Sequence, residues 1–263
     1  MNLSLDPASH TALIARLRAA GCVFAEEEAD MIAATARNPA EIDDMAARRA
    51  AGLPLEQVLG WAEFCGRRVA VDAGVFVPRR RTEFLVERAV AAAPAGRAAV
   101  VVDLCCGTGA VGAAVVRALR DAELHAADVE PAAVRCAARN VAAVGGRTYE
   151  GDLFTALPAG LRGRVDVLVA NVPYVPSDEI ALLPGEARDH EPRVALDGGA
   201  DGLGVLRRVA AEARAWLAPG GTVLSETSEA QRAAAVAAFA EGGLDARSAW
   251  SEELGATVVE GLK

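Results

Sequence analysis

The chain has 263 residues, of which 52% are hydrophobic and 24% charged, and its formal net charge is −9. This length allows one large domain, or one domain with a smaller companion. No run of about 18 uncharged apolar residues occurs, so the sequence predicts no membrane span. The acidic balance argues against direct nucleic-acid binding, because phosphate-binding surfaces normally carry a basic excess.

The five cysteines, at positions 22, 65, 105, 106 and 136, form no C-x-x-C pair, and the chain has three histidines. These numbers argue against a disulfide framework and against a metal site. Residues 1–10 are polar and show no secretory pattern. We therefore expect a cytoplasmic protein without a metal.

The first 60 residues predict a small helical bundle. One helix begins after Asp6 or Ser9 and ends at Gly21, a second covers residues 25–35, and a third runs from the cap Asn38 to about residue 51. Residues 55–59 predict one further helical turn. Such a bundle can serve as a substrate-docking module or as a lid, and we expect a substrate-recognition domain over residues 1–60.

Residues 61–95 change in character and predict a linker. Short apolar segments near residues 63–67, 69–71 and 75–77 alternate with glycine turns, which is typical of β-structure. Pro78 ends the last of them. A helix is predicted from Thr82 to about residue 93, before the turn Pro94-Ala95-Gly96.

Residues 96–263 predict one domain in which strands and helices alternate. The predicted strands cover residues 98–104, 123–128, 147–150, 165–171 and 222–226, and the helices cover 110–120, 132–144, 203–217 and 229–240. This alternation is typical of a doubly wound parallel sheet. Two last β segments, 246–250 and 256–261, have no helix between them and predict an antiparallel hairpin at one edge.

A glycine-rich turn follows the first of these strands. Gly107-Thr108-Gly109-Ala110-Val111-Gly112 satisfies the G-x-G-x-x-G pattern, and Asp128 ends the next apolar run. A strand, a glycine turn and a helix bring backbone N–H groups to a ligand. Asp128 lies 19 residues after Gly109, and an acid at about this separation commonly accepts hydrogen bonds from ribose hydroxyls. The pattern alone also fits an NAD-dependent oxidoreductase, or a tight turn that binds nothing.

The residues before these glycines favour a different cofactor. Asp103-Leu104-Cys105-Cys106-Gly107-Thr108-Gly109 resembles the D-x-G-x-G-x-G loop of S-adenosylmethionine-dependent methyltransferases. Most members carry glycine where this chain has Cys105. The thiol is small, so close approach to a ligand is still compatible with this loop.

A second motif, Asn171-Val172-Pro173-Tyr174, follows the strand predicted over residues 165–171. It resembles the N-P-P-Y motif of methyltransferases that modify planar nitrogens, with Val172 in place of the first proline. The Asn carboxamide oxygen and the next backbone carbonyl can accept both N–H bonds of a substrate amide, and the Tyr ring offers a face to the planar group. The alternative is a polar loop without a catalytic role.

Nearly the whole chain resembles the protein-(glutamine-N5) methyltransferases, the HemK family. The matching segments are residues 54–66, 77–83, 151–154 and 191–203. Residues 77–83 look like the family's I-P-R-P-E-T-E loop, and residues 191–203 match its E-P-x-x-A-L-x-G-G-x-D-G-L stretch. The 191–203 match is highly specific. Arg80 and Arg81 stand where the family has Pro-Glu.

The resemblance implies a class I S-adenosylmethionine-dependent methyltransferase fold, with a seven-stranded doubly wound sheet, an antiparallel edge hairpin and the N-terminal helical bundle. It implies that the acceptor amide is held by Asn171, Val172, Pro173 and Tyr174. It implies cofactor contacts by Thr82, Asp103, Cys105, Cys106, Gly107, Thr108, Gly109, Asp128, Asp152, Leu153 and Asn171. Glu191 is expected to order its loop through backbone N–H groups, whereas His190 is expected to be structural.

The family methylates a glutamine amide in proteins, best known in the G-G-Q tripeptide of peptide chain release factors. The resemblance therefore implies a protein substrate with an exposed glutamine. Two alternatives stay open. A nucleic-acid adenine methyltransferase shares the Asn-x-Pro-Tyr chemistry but needs a basic groove and an extruded base. A non-catalytic paralogue would bind S-adenosylmethionine without transferring its methyl group.

Overall fold

The N-terminal bundle consists of four helices, of which the first and the third begin at a side-chain cap. The computed structural model describes residues 5–263, so residues 1–4 of the predicted first domain lie outside the described residues. The helices are α1 (Pro7–Ala19), α2 (Ala25–Thr35), α3 (Pro39–Ala50) and α4 (Leu55–Leu59). The Asp6 carboxylate accepts hydrogen bonds from the backbone N–H groups of Ala8 and Ser9, and Asn38 accepts one from Glu41. The predicted caps are therefore confirmed.

The bundle has a hydrophobic core of its own. Leu17, Ala29 and Ile32 are fully buried in it, and Leu59 and Trp61 close it. The next buried residue, Ala62, already belongs to the core of the large sheet. The change of core lies where the sequence predicts the first domain to end, and we keep 1–60, 61–95 and 96–263 as a proposed division.

An antiparallel hairpin links the bundle to the sheet, formed by β1 (Trp61–Phe64) and β2 (Arg67–Ala70). The β segment predicted over residues 75–77 is wrong, since this stretch is a loop. Val75 and Val77 are buried there, which explains the strand-like apolar pattern. A 3₁₀ turn, Arg80–Thr82, then leads into α5 (Glu83–Ala92).

The large sheet has seven strands. In chain order the elements are β3 (Ala99–Leu104), α6 (Ala110–Leu119), β4 (Ala122–Asp128), α7 (Pro131–Ala142), β5 (Arg147–Glu150), β6 (Val165–Ala170), α8 (Gly185–His190), α9 (Gly204–Trp216), β7 (Leu217–Thr227), α10 (Arg232–Glu241), β8 (Asp245–Ser251) and β9 (Ala256–Leu262). The strand order is β5-β4-β3-β6-β7-β9-β8. Strands β3 to β7 are parallel, and β9 runs antiparallel to both β7 and β8.

This topology confirms the predicted fold class, with two differences. Strand β7 begins at Leu217, five residues before the predicted start at 222, because Leu217 already pairs with Val165 and the Pro-Gly-Gly segment forms an irregularity before regular pairing resumes at Thr222. The short helix α8 lies in a segment for which the sequence predicted no element. Within residues 5–263, no helix combines the length and the hydropathy that a membrane crossing requires.

The glycines after β3 allow close packing of α6. A Cβ atom on Gly112 would lie 2.9 Å from the Asp103 carboxylate and 2.8 Å from the Leu124 side chain. A Cβ atom on Gly109, whose φ is +71°, would lie 2.8 Å from the Val141 side chain. The pattern therefore serves the contacts of α6 with the sheet and with α7, in addition to any ligand.

Candidate active site

A cavity of about 590 Å³ opens at the carboxyl edge of the parallel strands. Open α/β sheets place their ligands at this edge. The predicted site residues that line it are Thr82, Asp103, Cys105, Cys106, Gly107, Thr108, Asp128, Asn171, Val172, Pro173 and Tyr174. The structure thus brings both sequence motifs to one cavity, together with the linker segment that precedes α5.

Three predicted cofactor residues do not line the cavity. Gly109 caps α6. Asp152 is paired with Arg208 at 2.5 Å, where both side chains are about half exposed. Leu153 is buried against the hydrophobic core, with a φ of +47°. Any contact of these three with a cofactor remains a prediction.

Asp128 stands at the end of β4, where it orders the glycine turn. One carboxylate oxygen accepts a hydrogen bond from the Gly107 N–H at 2.8 Å, and the other accepts one from Glu130 N–H at 3.0 Å. Burial raises the pKa of Asp128, while both backbone donors oppose this rise. The carboxylate lines the cavity with spare acceptor capacity, as contact with ribose hydroxyls requires.

The environment of the two thiols in the turn disfavours their ionised form. Burial raises the pKa of both Cys105 and Cys106, and the neighbouring Asp carboxylates raise it further. Cys105 adopts a φ of +54°, a conformation that favours glycine, the residue most methyltransferases carry here. Nowhere in residues 5–263 do three His, Cys, Asp or Glu side chains meet in a metal-binding arrangement.

Asn171 follows directly after β6 and presents an unsatisfied acceptor. Its Oδ1 atom is buried and lacks a donor among the described residues. The Oγ1 atom of Thr82, another cavity residue, is in the same state. Of the five buried side-chain atoms without a partner among the described residues, these two belong to residues that line the cavity, where a ligand can supply the missing partner.

The Asn171–Tyr174 loop is held by the glycine-rich part of the specific 191–203 segment. The Val175 N–H donates to the Leu196 carbonyl at 3.0 Å, and Gly198 N–H donates back to the Val175 carbonyl at 2.9 Å. A Cβ atom on Gly202 would collide with the Tyr174 carbonyl oxygen. Glycine is therefore required for this close approach, which explains the G-G-x-D-G-L signature.

Glu191 joins this segment to the linker. Its carboxylate accepts a hydrogen bond from the Val77 N–H at 3.1 Å and two from the Arg79 guanidinium at 2.6 and 2.7 Å. Glu191 is buried, and burial raises its pKa although Arg79 opposes the rise. Glu191 therefore orders the linker segment through one backbone N–H, and not its own loop as expected; its ion pair with Arg79 was not anticipated.

Sequence reasoning missed Arg81, Glu226 and Gln231 as site residues. Arg81 and Tyr174 both contact Glu226 at the end of β7, and Gln231 Nε2 donates to the Tyr174 carbonyl at 2.9 Å. One signal was available: residues 222–226 were predicted as a parallel strand, so its carboxyl end belonged at the ligand edge.

The fold is shared with solved methyltransferases. A methyltransferase from Pyrococcus furiosus superposes with a TM-score of 0.56 at 15% identity, covering 85% of this chain and 96% of that one. The ribosomal protein L11 methylase of Lactobacillus delbrueckii subsp. bulgaricus gives 0.51 at 16% identity, covering 73% and 83%. The family described as "Methyltransferase small domain" matches residues 67–183. Fold, site and family together define an S-adenosylmethionine-dependent methyltransferase.

Sequence relatives narrow this class. The release factor glutamine methyltransferase of Geobacter sulfurreducens is 37% identical over 211 residues, covering 78% of this chain and 72% of the relative. That of Mycolicibacterium smegmatis is 39% identical over 205 residues, with the same coverage. The chain belongs to the family of the release factor glutamine methyltransferases. A 4-amino-L-phenylalanine/4-methylamino-L-phenylalanine methyltransferase from Streptomyces pristinaespiralis is also similar, at 37% identity over 197 residues, covering 73% and 67%.

Proposed function

We propose that this protein transfers a methyl group from S-adenosylmethionine to the side-chain amide nitrogen of a glutamine in a peptide chain release factor. The observation that carries this proposal is that Asn171, whose buried Oδ1 atom lacks a partner, lines the cavity beside Tyr174. An acceptor in that position suits the donor hydrogens of a planar NH2 group. The names of the relatives in this family support a glutamine as the bearer of that group.

The chain's residues act mainly by positioning. Asn171 Oδ1 and the Val172 carbonyl accept the two N–H bonds of the amide, which aims the nitrogen into the cavity, and the Tyr174 ring forms a wall beside the amide plane. S-adenosylmethionine, when bound, would supply an electrophilic methyl group for in-line displacement by the amide nitrogen, with S-adenosylhomocysteine as the leaving group and one amide proton released to water. Asp128 would hold the ribose, and Asp103 and Thr82, which line the same cavity, would contact the rest of the cofactor. Orientation and exclusion of water then account for most of the catalysis.

The protein substrate requires a docking surface outside the cavity. We assign this role to the N-terminal bundle, residues 1–60. The relatives' names support a release factor as the partner, and the net charge of −9 supports recognition of protein rather than of nucleic acid. A release factor acts in translation, so we propose a cytoplasmic location for this protein.

The direct test incubates the purified protein with methyl-labelled S-adenosylmethionine and a release factor, followed by mass spectrometry of its peptides. We expect the mass of one labelled methyl group in place of one hydrogen on the glutamine of the G-G-Q tripeptide, and no added mass when that glutamine is replaced by asparagine. Free 4-amino-L-phenylalanine, the substrate in the Streptomyces relative's name, is offered in parallel. Methylation of the free amino acid without that of the release factor would overturn the proposal.

A further inference from the structure

Three side chains from distant parts of the sequence meet behind the acceptor loop. The Tyr174 hydroxyl donates a hydrogen bond to Glu226 Oε1 at 2.9 Å. The Arg81 Nε–H donates to the same carboxylate oxygen, also at 2.9 Å, and the Arg81 terminal amino group donates to the Tyr174 hydroxyl. Each of the three therefore contacts the other two.

The three contacts fix the far end of the Tyr174 side chain. Glu226 lies at the carboxyl end of β7, in the sheet, and is 2% exposed, so it provides a rigid acceptor. Arg81 comes from the 3₁₀ turn before α5, lines the cavity and is half exposed. The tyrosine hydroxyl is thus held between a sheet residue and a cavity-wall residue, which restricts the direction of the ring axis.

We propose that Glu226 and Arg81 are positioning residues for methyl transfer, which hold the Tyr174 hydroxyl so that its ring keeps its place beside the acceptor nitrogen. This inference rests on the proposed function. Both residues act through Tyr174 and need no contact with the reacting atoms. Burial and the Glu226 charge raise the pKa of Tyr174, so its hydroxyl stays protonated and keeps donating.

We call the cluster of Arg81, Tyr174 and Glu226 the clamp, and one of its three residues departs from the family motif. Position 81 carries arginine where the family motif I-P-R-P-E-T-E has an acid, and an acid there would face the Glu226 carboxylate with a like charge. In the same site, Val172 replaces a proline and gives up one fixed φ angle of the acceptor loop. The Arg81 contact supplies order at Tyr174, two residues further along that loop.

The kinetic test is a double-mutant cycle. Glu226→Leu and Arg81→Met should each lower kcat at least about tenfold, since small displacements of positioning groups are costly in rate. The dissociation constant for S-adenosylmethionine should change by less than about twofold. Glu226→Gln, which keeps an acceptor oxygen, should restore part of kcat. In a Tyr174→Phe background, Glu226→Leu should have no further effect, because the hydroxyl that it positions is gone.

Glu229→Leu is the matched control, because Glu229 follows β7 but pairs with Arg232 at the surface. A kcat at the wild-type level in Glu226→Leu and Arg81→Met, or effects that simply add to that of Tyr174→Phe, would overturn the clamp and leave the proposed function standing. An equal loss in Glu229→Leu would also contradict it.

An independent readout separates the two proposals. The chain has two tyrosines, so Tyr149→Phe leaves Tyr174 as the single ring in a ¹³C-tyrosine NMR spectrum. We expect the motion of the Tyr174 ring axis to increase in Arg81→Met and in Glu226→Leu, whether or not a release factor is methylated. Equal order in these variants and in the parent would refute the clamp, whereas an inactive parent would refute only the proposed function.

Discussion

The Asp103 carboxylate accepts a hydrogen bond of 2.8 Å from the backbone N–H of Gly112, between the end of β3 and the first turn of α6. Asp103 is 1% exposed, and burial raises its pKa from 3.8 to about 7. The folded protein therefore holds a proton there that the unfolded chain has lost between pH 4 and 7. By linkage, this group makes the free protein less stable as the pH rises through that range.

Cofactor binding should favour the ionised form of Asp103, so the affinity for S-adenosylmethionine should depend on pH. S-adenosylmethionine brings cationic groups into the cavity, which favour ionised Asp103 and lower its pKa. Because Asp103 is protonated at pH 6 in the free protein and would be ionised in the complex, the affinity should be about tenfold higher at pH 8 than at pH 6. Calorimetry in buffers of different ionisation enthalpy measures the released proton. Asp103→Asn should lose most of this dependence; an unchanged dependence would assign the proton elsewhere.

Asp128 should contribute strongly to cofactor affinity. Asp128→Ala removes the acceptor for the ribose hydroxyls, and the loss of charged hydrogen bonds is worth about 1.5–3 kcal/mol of binding free energy. The variant also frees the Gly107 N–H that Asp128 binds in the glycine turn. Asp245→Ala, at the exposed start of β8, is the control. Wild-type affinity in Asp128→Ala would refute the ribose assignment.

Asn171 should affect turnover and leave cofactor affinity nearly unchanged. Asn171→Ala leaves one substrate N–H without an acceptor in a dry cavity, at a cost of about 1–3 kcal/mol in the transition state. We expect kcat/KM for the release factor to fall at least about tenfold, with the S-adenosylmethionine dissociation constant near the wild-type value.

Val172→Pro tests the Asn171–Tyr174 loop by making its backbone more rigid. If valine only loosens the backbone, proline should hold or raise the activity on a glutamine substrate. Val172 is buried at 2% exposure, so its side chain also packs against neighbours. Abolished turnover with intact folding would show that valine shapes a pocket for a different acceptor, and the glutamine assignment would then be the first to be abandoned.

Arg49 should be important for the stability of the bundle and for the contact of the bundle with Glu186, which lines the cavity. Its guanidinium binds Glu28 at 2.6 Å and Glu186 of α8 at 2.7 Å. Arg49→Met leaves the buried Glu28 carboxylate unpaired, which should lower the free energy of unfolding by about 3–5 kcal/mol. Urea denaturation measures this. Arg16→Met removes an exposed pair and should cost less than about 1 kcal/mol; equal losses would contradict the buried role.

Removal of the bundle should separate cofactor binding from substrate recognition. A chain beginning at Trp61 retains the hairpin, whose Ala62, Phe64 and Val69 belong to the core of the large sheet. We expect it to bind S-adenosylmethionine within about threefold of the full chain and to lose methylation of the release factor. Calorimetry and the methylation assay measure the two properties. Full-rate methylation by this shortened chain would exclude the docking role.

Locally encoded features were predictable from the sequence. Asp6 and Asn38 cap helices through bonds to backbone groups two or three residues away, so no tertiary information is needed to place them. The apolar runs that became β3 and β6 are buried along their length, as parallel strands between helices require. Both site motifs follow such strands, and parallel strands end at one edge. The common cavity therefore followed from the pattern.

The tertiary structure alone decided which distant side chains meet. Arg81, Tyr174 and Glu226 are separated by up to 145 positions, and no local propensity encodes their contact. Val75 and Val77 carry a strand-like pattern, but they are buried in a loop whose backbone bonds side chains, with the Val75 carbonyl accepting from Gln57 and the Val77 N–H donating to Glu191. Burial and pairing depend on the packing of whole elements. The raised pKa of Asp103, the unsatisfied oxygen of Asn171 and the clamp on Tyr174 therefore appear only when the chain is folded.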